Sequence, residues 1–144
     1  MRFLLLMAVL CSLAVISFGE EVPKGKYAII LQAGAETNES KARAAHALLY
    51  AKELLENGYE VALIYDGAGT GWATEFRNPE NGFNKQYLLV KDKGMFEEVC
   101  KHCADHFDVE AKLLNQEKML LVSDYEGHPS IVRWIEKGYQ IIML

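Results

Sequence analysis

The sequence predicts a three-layer α/β/α domain built on a mostly parallel sheet of about five strands. Two observations carry this prediction. Short apolar segments typical of buried strands alternate along the chain with segments of helical periodicity, and glycines stand where several of these helices should end. Apolar strands that alternate with helices favour a parallel sheet covered by helices on both faces.

The first strand, helix and strand occupy the start of this domain. Residues 26–33 (KYAIILQA) and 59–66 (YEVALIYD) are short apolar segments that predict strands. Between them, small and apolar residues recur at helical spacing over residues 38–57, with Asn38 as a fair N-cap and Gly58 as a stop. The pattern predicts a right-handed crossover unit.

The end of the chain repeats this order. Residues 118–123 (KMLLVS) and 139–144 (YQIIML) predict two more strands. Between them, His128-Pro129 predicts the start of a short helix with proline at its first position, and Gly138 follows its end. Ile131, Val132 and Ile135 should share one side of that helix.

The middle of the chain allows two interpretations. Residues 67–83 form a Gly- and Asn-rich excursion, and residues 84–92 predict a helix ended by Gly94. Residues 95–99 are either a short strand before a helix that starts at the cysteines, or part of one continuous helix. The continuous helix would carry an apolar stripe of Phe96, Val99, Cys100, Cys103 and Phe107.

Composition and the N-terminus limit the classes of function. The chain has 144 residues, of which 51% are hydrophobic and 24% charged, and its formal net charge of -5 argues against a nucleic-acid partner. Residues 1–19 resemble a signal peptide, with Arg2 before an uncharged apolar run too short for a comfortable membrane span. We therefore expect one domain over residues 20–144, exported to the periplasm and without a stable membrane anchor. A leader that does not function would leave the protein in the cytoplasm.

Cys100-Lys101-His102-Cys103 is the strongest chemical signal. Sulfurs at positions i and i+3 share a helical face, so one thiolate could attack or pair with the other. A helix that begins at Cys100 would lower its pKa, helped by Lys101 and His102 as neighbouring cations. The continuous helix instead predicts an inert Cys100. A packing role remains open, because free cysteine is among the most buried residue types.

Two further histidine arrangements need to be weighed. A zinc site could combine Cys100, Cys103 and His106 with His102 or His128, although the second cysteine pair of most structural zinc sites is absent. His128 also follows a predicted strand, and with Gly34 and Asp66 it should fall at the carboxyl edge of the sheet, where ligands bind in such folds. It could act there as an acid or base, or cap the helix.

Four segments together resemble the DsrE/DsrF-like sulfur-relay proteins. They read KYAIILQAG, GYEVALIYDGAG, VCKHCADHF and YEGHPSIVRWIEKGYQIIML, and they cover most of residues 26–144. The resemblance implies a flavodoxin-like domain, assembled as a trimer or hexamer, that carries sulfur as a persulfide on one cysteine. That cysteine, at the end of a strand and before a helix, matches Cys100, and Cys103 matches a second cysteine present in some members. Members often have Arg-Gly shortly afterwards, where this sequence has Phe107-Asp108.

The resemblance implies a sulfurtransferase-like relay. Cys100 would accept sulfane sulfur from a donor protein or small thiol and pass it to a partner, and Cys103 could resolve the persulfide. Lys101 and His102 would favour the anionic forms, and His128 would sit across the crevice. We expect no bound cofactor and no metal for this function. The alternatives are a non-catalytic oligomeric binding module with packed cysteines, and a zinc-binding domain.

Overall fold

The computed structural model describes residues 23–144. The predicted signal peptide, residues 1–19, lies outside these residues. None of the helices in residues 23–144 combines the length and the apolar character needed to cross a membrane.

The described residues contain five strands and six α-helices, of which the first is the longest. The strands are β1 Lys26–Leu31, β2 Glu60–Tyr65, β3 Phe96–Cys100, β4 Leu121–Val122 and β5 Tyr139–Met143. The helices are α1 Asn38–Glu56, α2 Trp72–Glu75, α3 Asn84–Asp92, α4 Lys101–His106, α5 Glu110–Lys112 and α6 Ile131–Glu136. A 3₁₀ turn over Gly67–Gly71 precedes α2, and a π-helical turn over Leu113–Glu117 follows α5.

The strands form one parallel sheet in the order β4-β3-β2-β1-β5. Every strand pair is parallel, from Lys26 opposite Glu60 to Cys100 opposite Val122. Helices lie on both faces, so the predicted three-layer α/β/α fold of flavodoxin-like type is confirmed. Since all strands point the same way, their carboxyl ends share one edge of the sheet.

Alternate residues of β1 and β2 face two separate cores, as the two-residue period of a strand requires. Ile29, Leu31 and Leu63 face the larger core, which α1 and α3 cover. Ala28 and Ile64 face the smaller core, which α6 closes with a buried Trp134. Burial on both sides explains why these strands read as continuous apolar segments.

Most helix bounds agree with the sequence predictions. The first helix ends at Glu56 before Gly58, whose φ is +80°, but its N-cap is Thr37 rather than Asn38. The helix at 84–92 has the predicted bounds. The strand predicted over residues 118–123 shrinks to Leu121–Val122, because Lys118 adopts a left-handed conformation after the π-helical turn.

The last helix corrects the predicted helix start. It begins at Ile131 with Ser130 as N-cap, so Pro129 is not its first residue. The three residues expected on one side are about half exposed, and Trp134 is the side chain that α6 buries. A tight turn that occupies residues 125–128 delays the helix start and gives His128 a different position.

Candidate functional site

Four chemically active side chains meet at the carboxyl edge of the sheet. Asp66 follows β2, Cys100 ends β3, Cys103 lies in α4, and His128 comes from the loop between β4 and α6. One ligand atom from each side chain lies within 4.8 Å of the ligand atom of every other. We call these four residues the dithiol cluster.

Cys100 joins β3 to α4. It is the last residue of the strand and the N-cap of the helix, and its sulfur accepts a hydrogen bond of 3.3 Å from the amide of Cys103. The strand interpretation of residues 95–99 is therefore correct, and the continuous helix is wrong. Of the apolar stripe that favoured a continuous helix, Val99, Cys100 and Cys103 are buried, whereas its two ends, Phe96 and Phe107, are exposed.

His128 is held by the tight turn before α6. The amides of Tyr125 and His128 each donate to the carbonyl of the other, and Gly127 turns the chain with a φ of +90°. The His102 amide donates to the Gly127 carbonyl over 3.1 Å, which ties the turn to α4. As a result, His128 Nδ1 lies 3.2 Å from Cys100 Sγ and 3.8 Å from Cys103 Sγ.

Asp66 completes the cluster from the end of β2. Its Oδ2 accepts a hydrogen bond of 2.8 Å from Gln32 Nε2, and its Oδ1 accepts one of 3.3 Å from Cys103 Sγ. Burial opposes ionisation of this carboxyl group, but the hydrogen bonds from Gln32 and Cys103 outweigh it and lower the pKa of Asp66. Asp66 therefore stays a carboxylate beside the Cys103 thiol at neutral pH.

The turn after Asp66 requires glycine. A Cβ atom at Gly69 would stand 1.9 Å from the Leu31 carbonyl oxygen, because the 3₁₀ turn packs directly on the end of β1. The Gly69 amide donates to the carbonyls of both Gln32 and Asp66. This close approach keeps Gln32 and Asp66 side by side.

Both cysteines are free and buried. Cys100 has no exposed surface and Cys103 is 7% exposed. Burial raises the pKa of both thiols, and Asp66 as hydrogen-bond acceptor raises that of Cys103 further. The direction is opposite to the sequence prediction of a lowered pKa for Cys100.

Lys101 and His102 explain part of this difference. Both side chains are exposed on α4, and within residues 23–144 neither side chain forms a hydrogen bond with the Cys100 sulfur. Lys101 lines an open cleft together with Asp105 and Glu110. His102 lines the same cleft and also packs against the ring of His128, with the ring centroids 4.8 Å apart.

The ligand set predicted for a zinc site is wrong in part. His106 is exposed in the last turn of α4 and His102 offers no atom to the cluster, whereas Asp66 is a member. The sequence placed Asp66 at the right edge of the sheet without giving it a role. Its position directly after an apolar strand was the available signal, and so was that of Gln32 after β1.

A small cleft of about 110 Å³ adjoins the cluster. Asp66 and His128 line it together with apolar walls that include Ile64 and Trp134. His128 lines the cleft and lies 3.2 Å from Cys100 Sγ, so the sulfur is close to the cleft behind this ring. The site thus offers two thiols, an imidazole and a carboxylate beside a small cleft.

Comparisons with known proteins place the chain in a family. No protein-family model matches it. A protein of unknown function from Bacteroides thetaiotaomicron has a similar structure, with a TM-score of 0.54 and 18% identity over 83% of this chain and 94% of that one, which supports the fold alone. An uncharacterized protein of Methanocaldococcus jannaschii is 34% identical over 99 residues, which are 69% of this chain and 78% of that protein. The chain therefore belongs to the same family as this M. jannaschii protein.

Proposed function

We propose that this protein is a sulfur carrier of the DsrE/DsrF-like type, in which Cys100 holds a sulfane sulfur as a persulfide. The observation that carries the proposal is the 3.2 Å contact between Cys100 Sγ and His128 Nδ1 at the carboxyl edge of the sheet. A thiol beside an imidazole is the usual arrangement of a cysteine nucleophile and its base. The family resemblance of the four sequence segments supports the same assignment.

The first step is the transfer of one sulfur atom to Cys100. His128 accepts the proton of the Cys100 thiol, and the thiolate attacks the terminal sulfur of a donor persulfide, R–S–SH. A bond forms between Cys100 Sγ and the terminal sulfur, while the bond between the two donor sulfurs breaks. The donor leaves as the thiolate R–S⁻, which takes the electron pair and the proton from His128.

Cys103 offers a second step. Its thiolate can attack Cys100 Sγ of the persulfide, which forms the Cys100–Cys103 disulfide and releases HS⁻. The sulfane sulfur is reduced and the two cysteines are oxidised, so no outside oxidant is needed. Asp66 accepts the Cys103 hydrogen bond and is the nearest carboxylate for that proton.

Burial of Cys100 sets a condition on this chemistry. Cys100 has no exposed surface, so a neighbouring segment has to move before a donor or acceptor can reach it, and we expect this to be the Tyr125–His128 turn. Besides its two mutual amide hydrogen bonds, the turn is tied to its surroundings by the His102 amide and by a 3.9 Å contact from Cys100 Sγ, both to the Gly127 carbonyl. We therefore expect slow reaction of the isolated protein and faster reaction with the correct partner.

Intact mass spectrometry tests the proposal. The reduced protein is treated with polysulfide, and we expect a gain of about 32 Da for one sulfur atom on Cys100. Cys100→Ser should lose the adduct, and Cys103→Ser should keep it longer because no disulfide can form. A protein that gains no sulfur, or a Cys100→Ser variant that still gains it, would refute the carrier role.

The oligomer and the location of the protein also stay predictions. Several apolar side chains of α6, on the sheet face with less helical cover, are about half exposed: Ile131, Val132 and Ile135. Such a patch suits contact with another copy of the chain. Sedimentation velocity should detect the trimer or hexamer that the resemblance implies, and a monomer at micromolar concentration would contradict it.

A further inference from the structure

We infer that the dithiol cluster is also a binding site for a thiophilic divalent cation, Zn²⁺, with Asp66, Cys100, Cys103 and His128 as its four ligands. The inference does not depend on the sulfur-carrier role. The two sulfurs cannot hold zinc and a persulfide at once, so the metal and the sulfane sulfur compete for the same cysteines.

The spacing of three of the six pairs of ligand atoms fits a tetrahedral site, and the other three pairs lie within 4.8 Å. Zinc bonds of about 2.3 Å to sulfur and about 2.0 Å to nitrogen or oxygen put two sulfurs about 3.8 Å apart and a sulfur about 3.6 Å from a nitrogen or oxygen. The His128 Nδ1 distances to the two sulfurs are 3.2 and 3.8 Å, and Cys103 Sγ lies 3.3 Å from Asp66 Oδ1. A metal at the centre needs shifts of only a few tenths of an ångström for these three pairs.

The surrounding hydrogen bonds orient three of the ligands. Gln32 holds Asp66 Oδ2 and leaves Oδ1 turned toward Cys103. The Cys103 amide donates to Cys100 Sγ, which stabilises a thiolate at that position. The tie between the His102 amide and Gly127 fixes the turn that presents His128 Nδ1. Such outer contacts are typical of metal sites, where they set ligand orientation.

The dithiol cluster has a carboxylate that no cationic side chain of the described residues neutralises. Asp66 forms no ion pair with lysine or arginine among residues 23–144. Metal binding would displace the protons of the two thiols, so two thiolates and the Asp66 carboxylate would then face the cation. A divalent cation would offset most of this charge in a buried place, where uncompensated charge is costly.

The ligand types select the metal class. Two sulfurs with one imidazole and one carboxylate suit Zn²⁺ and Co²⁺ better than Mg²⁺ or Ca²⁺, which prefer oxygen. All four positions of a tetrahedron are filled by protein, as in structural sites rather than in catalytic ones that keep a water. The site should therefore bind the metal in a closed form that protects both thiols.

Anaerobic titration with Co²⁺ tests the inference. The reduced protein, freed of metal by a chelator, should bind one Co²⁺ and develop the intense visible bands of tetrahedral thiolate coordination, which Zn²⁺ then displaces. Cys100→Ser and Cys103→Ser should lose the charge-transfer band. Asp66→Asn and His128→Gln should weaken Co²⁺ binding at least tenfold, and Gln32→Ala should weaken it about tenfold as an outer-contact variant.

His106→Ala is the matched control, because it removes a histidine on the same helix that lies outside the cluster. It should leave the spectrum and affinity unchanged. Absence of tetrahedral bands in the folded protein would overturn the inference, and so would loss of binding in His106→Ala with retention in both Asp66→Asn and Gln32→Ala. Circular dichroism confirms that each variant is folded.

The same variants separate this inference from the sulfur-carrier role. Asp66→Asn should lose Co²⁺ affinity but still gain sulfur on Cys100, because the Cys100–His128 pair is intact. Tetrahedral Co²⁺ binding without any persulfide would refute the sulfur-carrier role and leave the metal site supported. Persulfide formation without tetrahedral Co²⁺ binding would refute the metal site and leave the sulfur-carrier role supported.

Discussion

Strand β3 carries two buried polar clusters that differ in their balance of charge. Near its middle, the Glu97 carboxylate accepts hydrogen bonds from the hydroxyls of Tyr65 and Tyr87 and pairs with Arg77 and Lys91. At its carboxyl end, Cys100 meets His128, Cys103 and Asp66 with no arginine or lysine in the cluster. The first is balanced, because Arg77 also pairs with Glu117 and two cations thus meet two carboxylates. The second has one carboxylate and two thiols that can ionise.

Glu98, on the other face of the strand, resembles Glu97. It is fully buried, its two oxygens lie 2.8 Å from Arg133 Nη2, and Trp134 Nε1 donates to one of them. Both glutamates are thus satisfied by partners within the fold. The difference teaches that β3 contains ion-paired carboxylates in its middle and, at its end, an ionisable cluster whose carboxylate has no ion-pair partner among residues 23–144.

The largest expected effect comes from removing the Glu97 carboxylate from the charge-balanced cluster in the middle of β3. Glu97→Gln removes the closer of the two carboxylates paired with the buried Arg77, which then keeps only Glu117 at 3.6 Å, and it should lower the free energy of unfolding by about 3 kcal/mol. Asp66→Asn removes no ion pair within residues 23–144 and should cost only about 1 kcal/mol. Urea denaturation of metal-free protein measures both. Equal losses in the two variants would show that the contrast between the clusters is wrong.

The second prediction concerns the effect of Zn²⁺ binding at the dithiol cluster on the free energy of unfolding. Free Zn²⁺ at a hundred times its dissociation constant should raise the free energy of unfolding by about 2.7 kcal/mol, because only the folded chain assembles the four ligands. Thermal unfolding with and without Zn²⁺ measures the gain. His106→Ala should keep it and Asp66→Asn should lose most of it. Equal stabilisation of these two variants would point to binding elsewhere.

The sequence predicted the architecture better than the site. Strands β1 and β2 and helices α1 and α3 follow local patterns of burial and capping, so their bounds could be predicted to within a few residues. The residues around Cys100 fitted both a strand and a helical stripe, because a strand buried on both faces shows no alternation. Only the pairing of β3 between β2 and β4 resolves that ambiguity.

The composition of the cluster depends on distant parts of the chain. Asp66 reaches Cys103 because β2 and β3 are neighbours, which no local pattern states. His128 reaches Cys100 because the Tyr125–His128 turn folds back on α4, whereas the proline beside it suggested a helix start. His106 fitted the spacing of a helical face, but a helix that ends at His106 leaves it exposed.

The third effect tests the turn that presents His128. Gly127→Ala places a Cβ 3.2 Å from His102 Cβ in a conformation with φ of +90°, and it should cost about 1–2 kcal/mol of stability. The displaced histidine should also weaken Co²⁺ binding. Gly82→Ala is the control, since a Cβ there meets open space, and it should stay within about 0.5 kcal/mol of the parent. Unchanged stability and Co²⁺ affinity in Gly127→Ala would show that the turn does not hold His128.

The smallest expected effect is a loss of stability at alkaline pH from Tyr65, which belongs to the charge-balanced Glu97 cluster. Burial, and then the charge of Glu97, raise the pKa of Tyr65 above its usual value near 10. A raised pKa in the folded state means that Tyr65 contributes its full stability below about pH 10 and loses it as the pH rises, because the unfolded chain releases that proton first. At pH 10.5 the loss should be about 0.8 kcal/mol for this phenol.

Urea denaturation of the parent and Tyr65→Phe between pH 8 and pH 10.5 isolates this contribution, since the other titrating groups are common to both proteins. The variant should start less stable, because Glu97 loses a donor, and should then decline less steeply with pH. Parallel declines would mean that the Tyr65 phenol ionises as easily in the folded protein as in the unfolded chain. The Glu97 cluster would then hold the Tyr65 proton no more tightly than the unfolded chain does, and charge balance would no longer distinguish the two ends of β3.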